Sequence, residues 1–354
     1  MIDRSFWVGR RVLLTGHTGF KGAWLALWLE RLGAEVHGIA LPPETPAGSA
    51  AGLWQAVLPR VASSHWIDIR DRSALAPVVS AIAPEVVFHL AAQALVRRSY
   101  REPVETFATN VQGTANLLDA LRLVPSPRAT VVVTSDKVYA NDDRGRAFVE
   151  GDPLGGKDPY SASKAACELL VASWRTAVGD RQGMALATAR AGNVIGGGDV
   201  SEDRLLPDLF RAVRAGTPLL LRNPEATRPW QHVLEPLAGY LLLAQQMVTG
   251  RSPPAVNFGP DREGVWSVRQ VIELALAALG RGQWQQDGEP GPPEAKRLAL
   301  DPSLAQTQLG WQPRLSVTEA VGWTVDWALA QGEGANLRTL SLTQIMRYEE
   351  RMAS

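Results

Sequence analysis

The feature that most constrains this chain is a glycine-rich turn placed directly after its first apolar run. Gly16-His17-Thr18-Gly19-Phe20-Lys21-Gly22 follows Arg11–Thr15 (RVLLT), which reads as a buried strand. It precedes Ala23–Leu32, where Trp24, Leu25, Trp28, Leu29 and Leu32 share one helical stripe and Gly33 is placed to end it. Glycines at a strand-to-helix turn permit a tight bend, close approach of backbone to a pyrophosphate, and close packing of helix on strand. The helix start adds unpaired N–H groups and the positive end of its dipole, which favour phosphate. Gly16, Thr18, Gly19, Phe20, Lys21 and Gly22 are therefore expected to hold a dinucleotide.

The alternation continues along the chain. Glu35–Ala40, His65–Ile69, Val86–Leu90, Thr130–Thr134 and Met184–Ala189 read as strands, with helical patterns between most of them, notably Val104–Leu121 and Tyr160–Val178. Asp158-Pro159 supplies an N-cap and a first-turn proline to the last of these. Strands separated by helices imply a parallel sheet covered on both faces, so the expected fold is α/β with a doubly wound, Rossmann sheet. Past Gly196-Gly197-Gly198 the character changes, with helices expected at Arg204–Arg214, Leu234–Met247 and Val268–Leu279, an exposed loop over 281–295, and a helical tail from Val317. The expected division is a cofactor domain at 1–192, with segments of 232–260 returning to it, and a smaller, mostly helical substrate domain at 193–354.

Composition enters where the chemistry does. The chain has 36 basic and 36 acidic residues, a balance that argues against a nucleic-acid partner. Its single cysteine excludes an internal disulfide and suits a reducing compartment. The longest apolar run, Leu237–Val248, is shorter than a membrane span and contains Gln245 and Gln246, so a cytoplasmic location without membrane partners is expected. Of the 36 basic residues only five are lysine: Lys21, Lys137, Lys157, Lys164 and Lys296. Arginine stays protonated in proteins, whereas an amine can exchange its proton. Scarce lysines thus mark candidate acid–base positions.

Tyr160-Ser161-Ala162-Ser163-Lys164 puts a phenol and an ammonium one helical turn apart, where the cation favours phenolate. Thr134-Ser135-Asp136-Lys137-Val138-Tyr139 closes the fifth strand, at the sheet end where doubly wound folds bind ligands. A hydroxyl at Ser135 or Thr134 is suited to the sugar oxygen that Tyr160 deprotonates. Asp136 and Lys137 add an acid/base pair. Asp68 is a candidate acceptor for an adenine amino group, while Asp71 is the better helix cap. The second strand ends Gly38-Ile39-Ala40-Leu41 with neither an acidic residue for the ribose nor a nearby arginine before Arg60, and NAD is preferred over NADP.

With TGHTGFKGAWL at 15–25, TSDKVY at 134–139, LGGKDPYSASKAACELL at 154–170, ARAGNVIGGGD at 189–199, RNPEATRPWQHVLEPLAGYL at 222–241 and EAKRLALD at 294–301, essentially the whole chain resembles the extended short-chain dehydrogenase/reductase superfamily, and within it the CDP-D-glucose 4,6-dehydratase family. Lys137 stands where dTDP-sugar relatives carry glutamate, which favours the CDP-hexose branch. The resemblance implies an NAD-dependent lyase. Tyr160, Lys164 and Ser135 serve oxidation at C4, Lys137 is the C5 base and Asp136 the C6 acid, with the assignment inside that pair left open. It further implies cofactor contacts at Asp68, Ile69, Leu90, Ala91, Ala92, Thr109 and Thr134, besides Tyr160 and Lys164. Substrate contacts are expected at Gln93, Asn193, Arg204, Arg228, Trp230, Asn257 and Lys296, within a stretch that also carries Arg211, Arg214 and Arg222. No metal is expected. A homodimer or homotetramer is. The competing readings are a dehydratase or epimerase of another nucleotide sugar and a non-catalytic NAD-binding scaffold.

Overall fold

The structure, a computed structural model, describes residues 1–43, 49–125, 127–141, 145–179, 183–250, 252–261, 265–287 and 298–353. Its centre is a seven-stranded sheet, parallel throughout: β1 (Arg11–Thr15), β2 (Glu35–Ala40), β3 (Ser63–Trp66), β4 (Val86–His89), β5 (Ala129–Val133), β6 (Ala185–Ala191) and β7 (Ala255–Phe258), in the order β7-β6-β5-β4-β1-β2-β3. Side chains alternate across it. Val12, Leu14, Val86, Phe88, Val131 and Val133 meet α1 (Phe20–Leu32) and α6 (Leu234–Val248) on one face, whereas Leu13, Val87 and Val132 meet α2 (Arg72–Ile82), α3 (Gly113–Leu121) and α4 (Pro159–Trp174) on the other. The long apolar run at 237–248 is therefore a core helix, and among the described residues no helix is long and apolar enough to cross a membrane.

A further core joins α5 (Leu205–Ala215), α7 (Val268–Leu279) and α8 (Val317–Gly332), through Leu206, Leu209, Val271, Ile272, Val321 and Val325. The last helix, α9 (Leu337–Ala353), returns to the first core through Ile345 and Tyr348. Local signals explain many boundaries. Gly33 and Gly216 end α1 and α5 in the left-handed conformation, Asp71 caps α2, and Asp158 with Ser161 forms a capping box on α4.

Several expectations shift. β3 starts at Ser63 and stops at Trp66 because pairing with His37–Ala40 sets its register, which leaves Asp68 two residues beyond the strand. The helix expected over Val104–Leu121 is interrupted by a π turn at Ala108–Gln112. Within 281–295, read as a loop, Trp284–Gln286 forms a strand parallel to Leu219–Leu221, an edge that turn composition does not reveal.

Candidate active site

The loops after β1, β4, β5 and β6 converge on one cleft of about 1090 Å³. The chain runs outward from β1 to β3, then restarts at β4 on the other side of β1, so β1/β4 is the topological switch point. Gly16 occupies it at φ +74°, and a Cβ there would stand 2.7 Å from the Ala91 nitrogen. A Cβ on Gly22 would meet the Gly16 oxygen at 2.0 Å. Gly19 caps α1 without a side-chain hydrogen bond, which leaves first-turn N–H groups for an anion. This cradle fits a dinucleotide diphosphate.

Thr18 and Phe20 line the same cleft, Thr18 donating to the Leu41 carbonyl. Leu90, Ala91 and Ala92 form its β4 edge, with Ile69, Thr109 and Thr134 beside them. Asp68 also reaches the cleft, but both its carboxylate oxygens are taken by Arg70, whose guanidinium holds the carboxyl below its usual range. An adenine amino group would have to share that carboxylate with Arg70. Arg60 turns away toward Glu30.

Tyr160 and Lys164 lie buried on the cleft side of α4. Lys164 Nζ donates to the Val133 carbonyl at 3.0 Å, and burial pushes its amine below the ordinary value. Burial raises the Tyr160 phenol, while a hydrogen bond with Ser135 and the Arg204 cation act the other way. Tyr160 and Lys164 thus line one cleft, with Ser135 and Arg204 favouring the ionised phenol. Ser135 also donates to Asp136 at 3.0 Å and caps the short 3₁₀ turn Asp136–Val138. Asp136 is buried, and that burial raises its carboxyl against the pull of Lys137, Ser135, Arg228 and Lys21. Its Oδ2 is buried with no hydrogen-bond partner, close to the Gly192 backbone. Lys21 lines the cleft with the glycine loop and also lies within electrostatic reach of Asp136, Lys164, Arg204 and Asp199, and burial pushes its amine down to about 8.

Of the candidate substrate residues, Gln93, Asn193, Arg204, Arg228 and Trp230 line the cleft. Gln93 spends its amide on Leu95 and Thr106, so it shapes a loop. Arg204 donates to the Ala94 carbonyl, and Trp230 to the Trp266 carbonyl. Arg222 lines the cleft and pairs with Asp287, whereas Arg211 is spent on Asp208 and the Val200 and Ser201 carbonyls. Asn257 does not line the cleft: it is fully buried behind Tyr139, accepting from its hydroxyl at 2.6 Å and donating from its amide to the Phe148 carbonyl. Lys296 lies outside the described residues. No cluster of potential metal ligands occurs among the described residues. Two charged side chains that no motif singled out, Glu168 and Arg190, lie beneath the site. A lone arginine in the apolar run Ala185–Ala191 is the signal that marks them.

Comparison with known proteins agrees with this geometry. A family model described as GDP-mannose 4,6 dehydratase matches residues 13–324. A CDP-glucose 4,6-dehydratase of Salmonella typhimurium is 44% identical, covering 98% of both chains. A dTDP-glucose 4,6-dehydratase of Xanthomonas campestris pv. campestris is 28% identical over 90% of this chain and 92% of its own. Among solved structures, a Thermus thermophilus UDP-glucose 4-epimerase in complex with NAD superimposes with a TM-score of 0.76 at 26% identity, covering 90% of this chain and 99% of that one. A match spanning almost the full length, on a doubly wound sheet whose switch point carries the glycine cradle, makes the chain a member of the GDP-mannose 4,6 dehydratase family within the extended short-chain dehydrogenase/reductase superfamily.

Proposed function

We propose that the protein is an NAD-dependent CDP-glucose 4,6-dehydratase, converting CDP-D-glucose to CDP-4-keto-6-deoxy-D-glucose and water. The observation that carries this reading is the junction of Tyr160–Ser135 with the adjacent Asp136–Lys137 pair at the end of β5, all facing one cleft. Oxidation alone needs the first pair. Elimination needs the second.

NAD supplies the acceptor, and then the donor, of the hydrogen that moves from C4 to C6. Tyr160, held by Ser135, takes the C4 hydroxyl proton. The resulting ketone makes the C5 proton acidic, and Lys137 removes it. Asp136, whose burial favours the protonated carboxyl, gives its proton to the C6 oxygen, which leaves as water. A proton passed from Lys137 to Asp136 sets both groups in the required state. The proton held on Lys137 then returns to C5. In this reading Arg204 and Arg228, which line the cleft, bind the substrate's diphosphate end, and Trp230 walls the sugar or base. Incubation with CDP-glucose and NAD⁺ tests this reading. It expects a 4-keto-6-deoxy sugar without net NADH, and a preference for CDP- over dTDP-, GDP- and UDP-glucose. Accumulated NADH with the C6 hydroxyl retained would make the protein a simple dehydrogenase.

A homodimer and a cytoplasmic location complete the proposal. Val104, Phe107 and Leu169 are exposed on Pro103–Phe107 and α4, which pack on each other, and such an apolar face suits a second copy. Leu169→Glu then shifts the protein to monomers in sedimentation. The free, buried Cys167 suits a reducing environment.

A further inference from the structure

Thr134 and Tyr139 bracket the segment that carries Ser135, Asp136 and Lys137, and one buried ion pair reaches both ends. Glu168 lies one turn beyond Lys164 on α4, and Arg190 lies on β6. Both are almost completely buried. Arg190 grips the carboxylate twice, Nε to Oε1 at 2.9 Å and a terminal nitrogen to Oε2 at 2.7 Å. The Thr134 hydroxyl donates to Oε1, and the Thr188 hydroxyl donates to Oε2 at 2.7 Å. The remaining Arg190 nitrogen donates to the Tyr139 hydroxyl at 2.8 Å and to the Glu150 carbonyl at 3.0 Å. Tyr139 passes the chain on to Asn257, whose amide donates to the Phe148 carbonyl at 2.9 Å.

Buried ion pairs are weak devices for stability alone, because desolvation offsets much of their attraction. A fully bonded one is rigid, however, and rigidity is what a multi-step site requires. We infer that Glu168 and Arg190 are positioning residues, which tie both ends of the Ser135–Val138 turn to the helix bearing Tyr160 and Lys164 and so keep the C4 chemistry and the C5/C6 chemistry in one constellation. Neither touches substrate. Glu168 acts through Thr134, on the Ser135 side. Arg190 acts through Tyr139, on the Lys137 side.

This inference rests on the dehydratase reading, and the test separates the two. Tyr139→Phe removes one hydroxyl and leaves the ring that stacks on Phe148. Glu168→Gln removes the charge at the centre. With cofactor content equal to wild type, Tyr139→Phe is expected to lower kcat by about 10-fold, with KM for the nucleotide sugar within about 3-fold and reduced cofactor accumulating in steady state, as elimination lags oxidation. Glu168→Gln is expected to slow both stages. A purely structural pair would lower the melting temperature yet leave kcat unchanged wherever the variant is folded, and that result overturns the inference. So does a loss confined to KM or cofactor content. Should Glu168→Gln not fold, Tyr139→Phe decides alone. A wild type inactive as a dehydratase on every nucleotide sugar removes the functional reading and this inference together. Unchanged variants beside an active wild type remove only the inference.

Discussion

At the Tyr160 hydroxyl, burial opposes ionisation while Ser135 and Arg204 favour it. Phenolate is the form that accepts the C4 proton, so kcat/KM should climb with pH through this titration. Removing the cation with Arg204→Gln leaves burial less opposed, and the rising limb should move to higher pH. A limb that stays in place would free Arg204 from this role. Lys137 is tested by a substitution that keeps charge and forfeits proton exchange. Lys137→Arg should lower the dehydration rate by at least about 100-fold while cofactor stays bound, measured as product formation against bound NAD. The short runs at 134–137 and 160–164 were readable because their spacing alone puts the groups together. The roles of Asn257, Arg190 and Glu168 were not, since they depend on which strand lies behind Tyr139.

At the scale of elements, α6 and α9 are joined by a buried carboxylate. Glu235 accepts from Tyr348 Oη at 2.5 Å and from the Arg314 and Leu315 N–H groups at 2.8 and 2.7 Å. Burial nevertheless pushes its carboxyl up from 4.5 to about 7. An acid raised in the folded state stays protonated after the unfolded chain has ionised, so its contribution declines as pH rises from about 4.5 to about 7 and is constant above. Glu235→Gln should flatten the melting temperature across that window relative to wild type. Parallel slopes would show that the hydrogen bonds, not burial, govern this carboxyl. Six of the seven sheet strands and the long helices were legible from periodicity and caps, whereas β7 and Trp284–Gln286 were not read as strands. The π turn at Ala108–Gln112 and the early end of β3 were not legible either, because both follow from packing and register rather than local preference.

For the whole molecule, one cleft holds cofactor and chemistry together. Substrate deuterated at C4 should therefore give product labelled at C6, read by mass spectrometry. Label lost to added NAD would mean that the cofactor exchanges during turnover. The parallel sheet was legible in the sequence. The contacts of the later half were less so: side chains such as Arg211 look suited to an anion until the fold spends them on carbonyls and Asp208. The position of α6 and β7 has a consequence for how the protein is made. They complete the sheet face and edge beside β5 and β6, yet they are encoded at 234–258, after the chain has left to build α5. A growing polypeptide that has only reached residue 192 carries an open strand edge and an uncovered apolar face, the two features that invite aggregation. The sheet is not complete until the chain has been made past residue 258, and shielding over that interval would protect it.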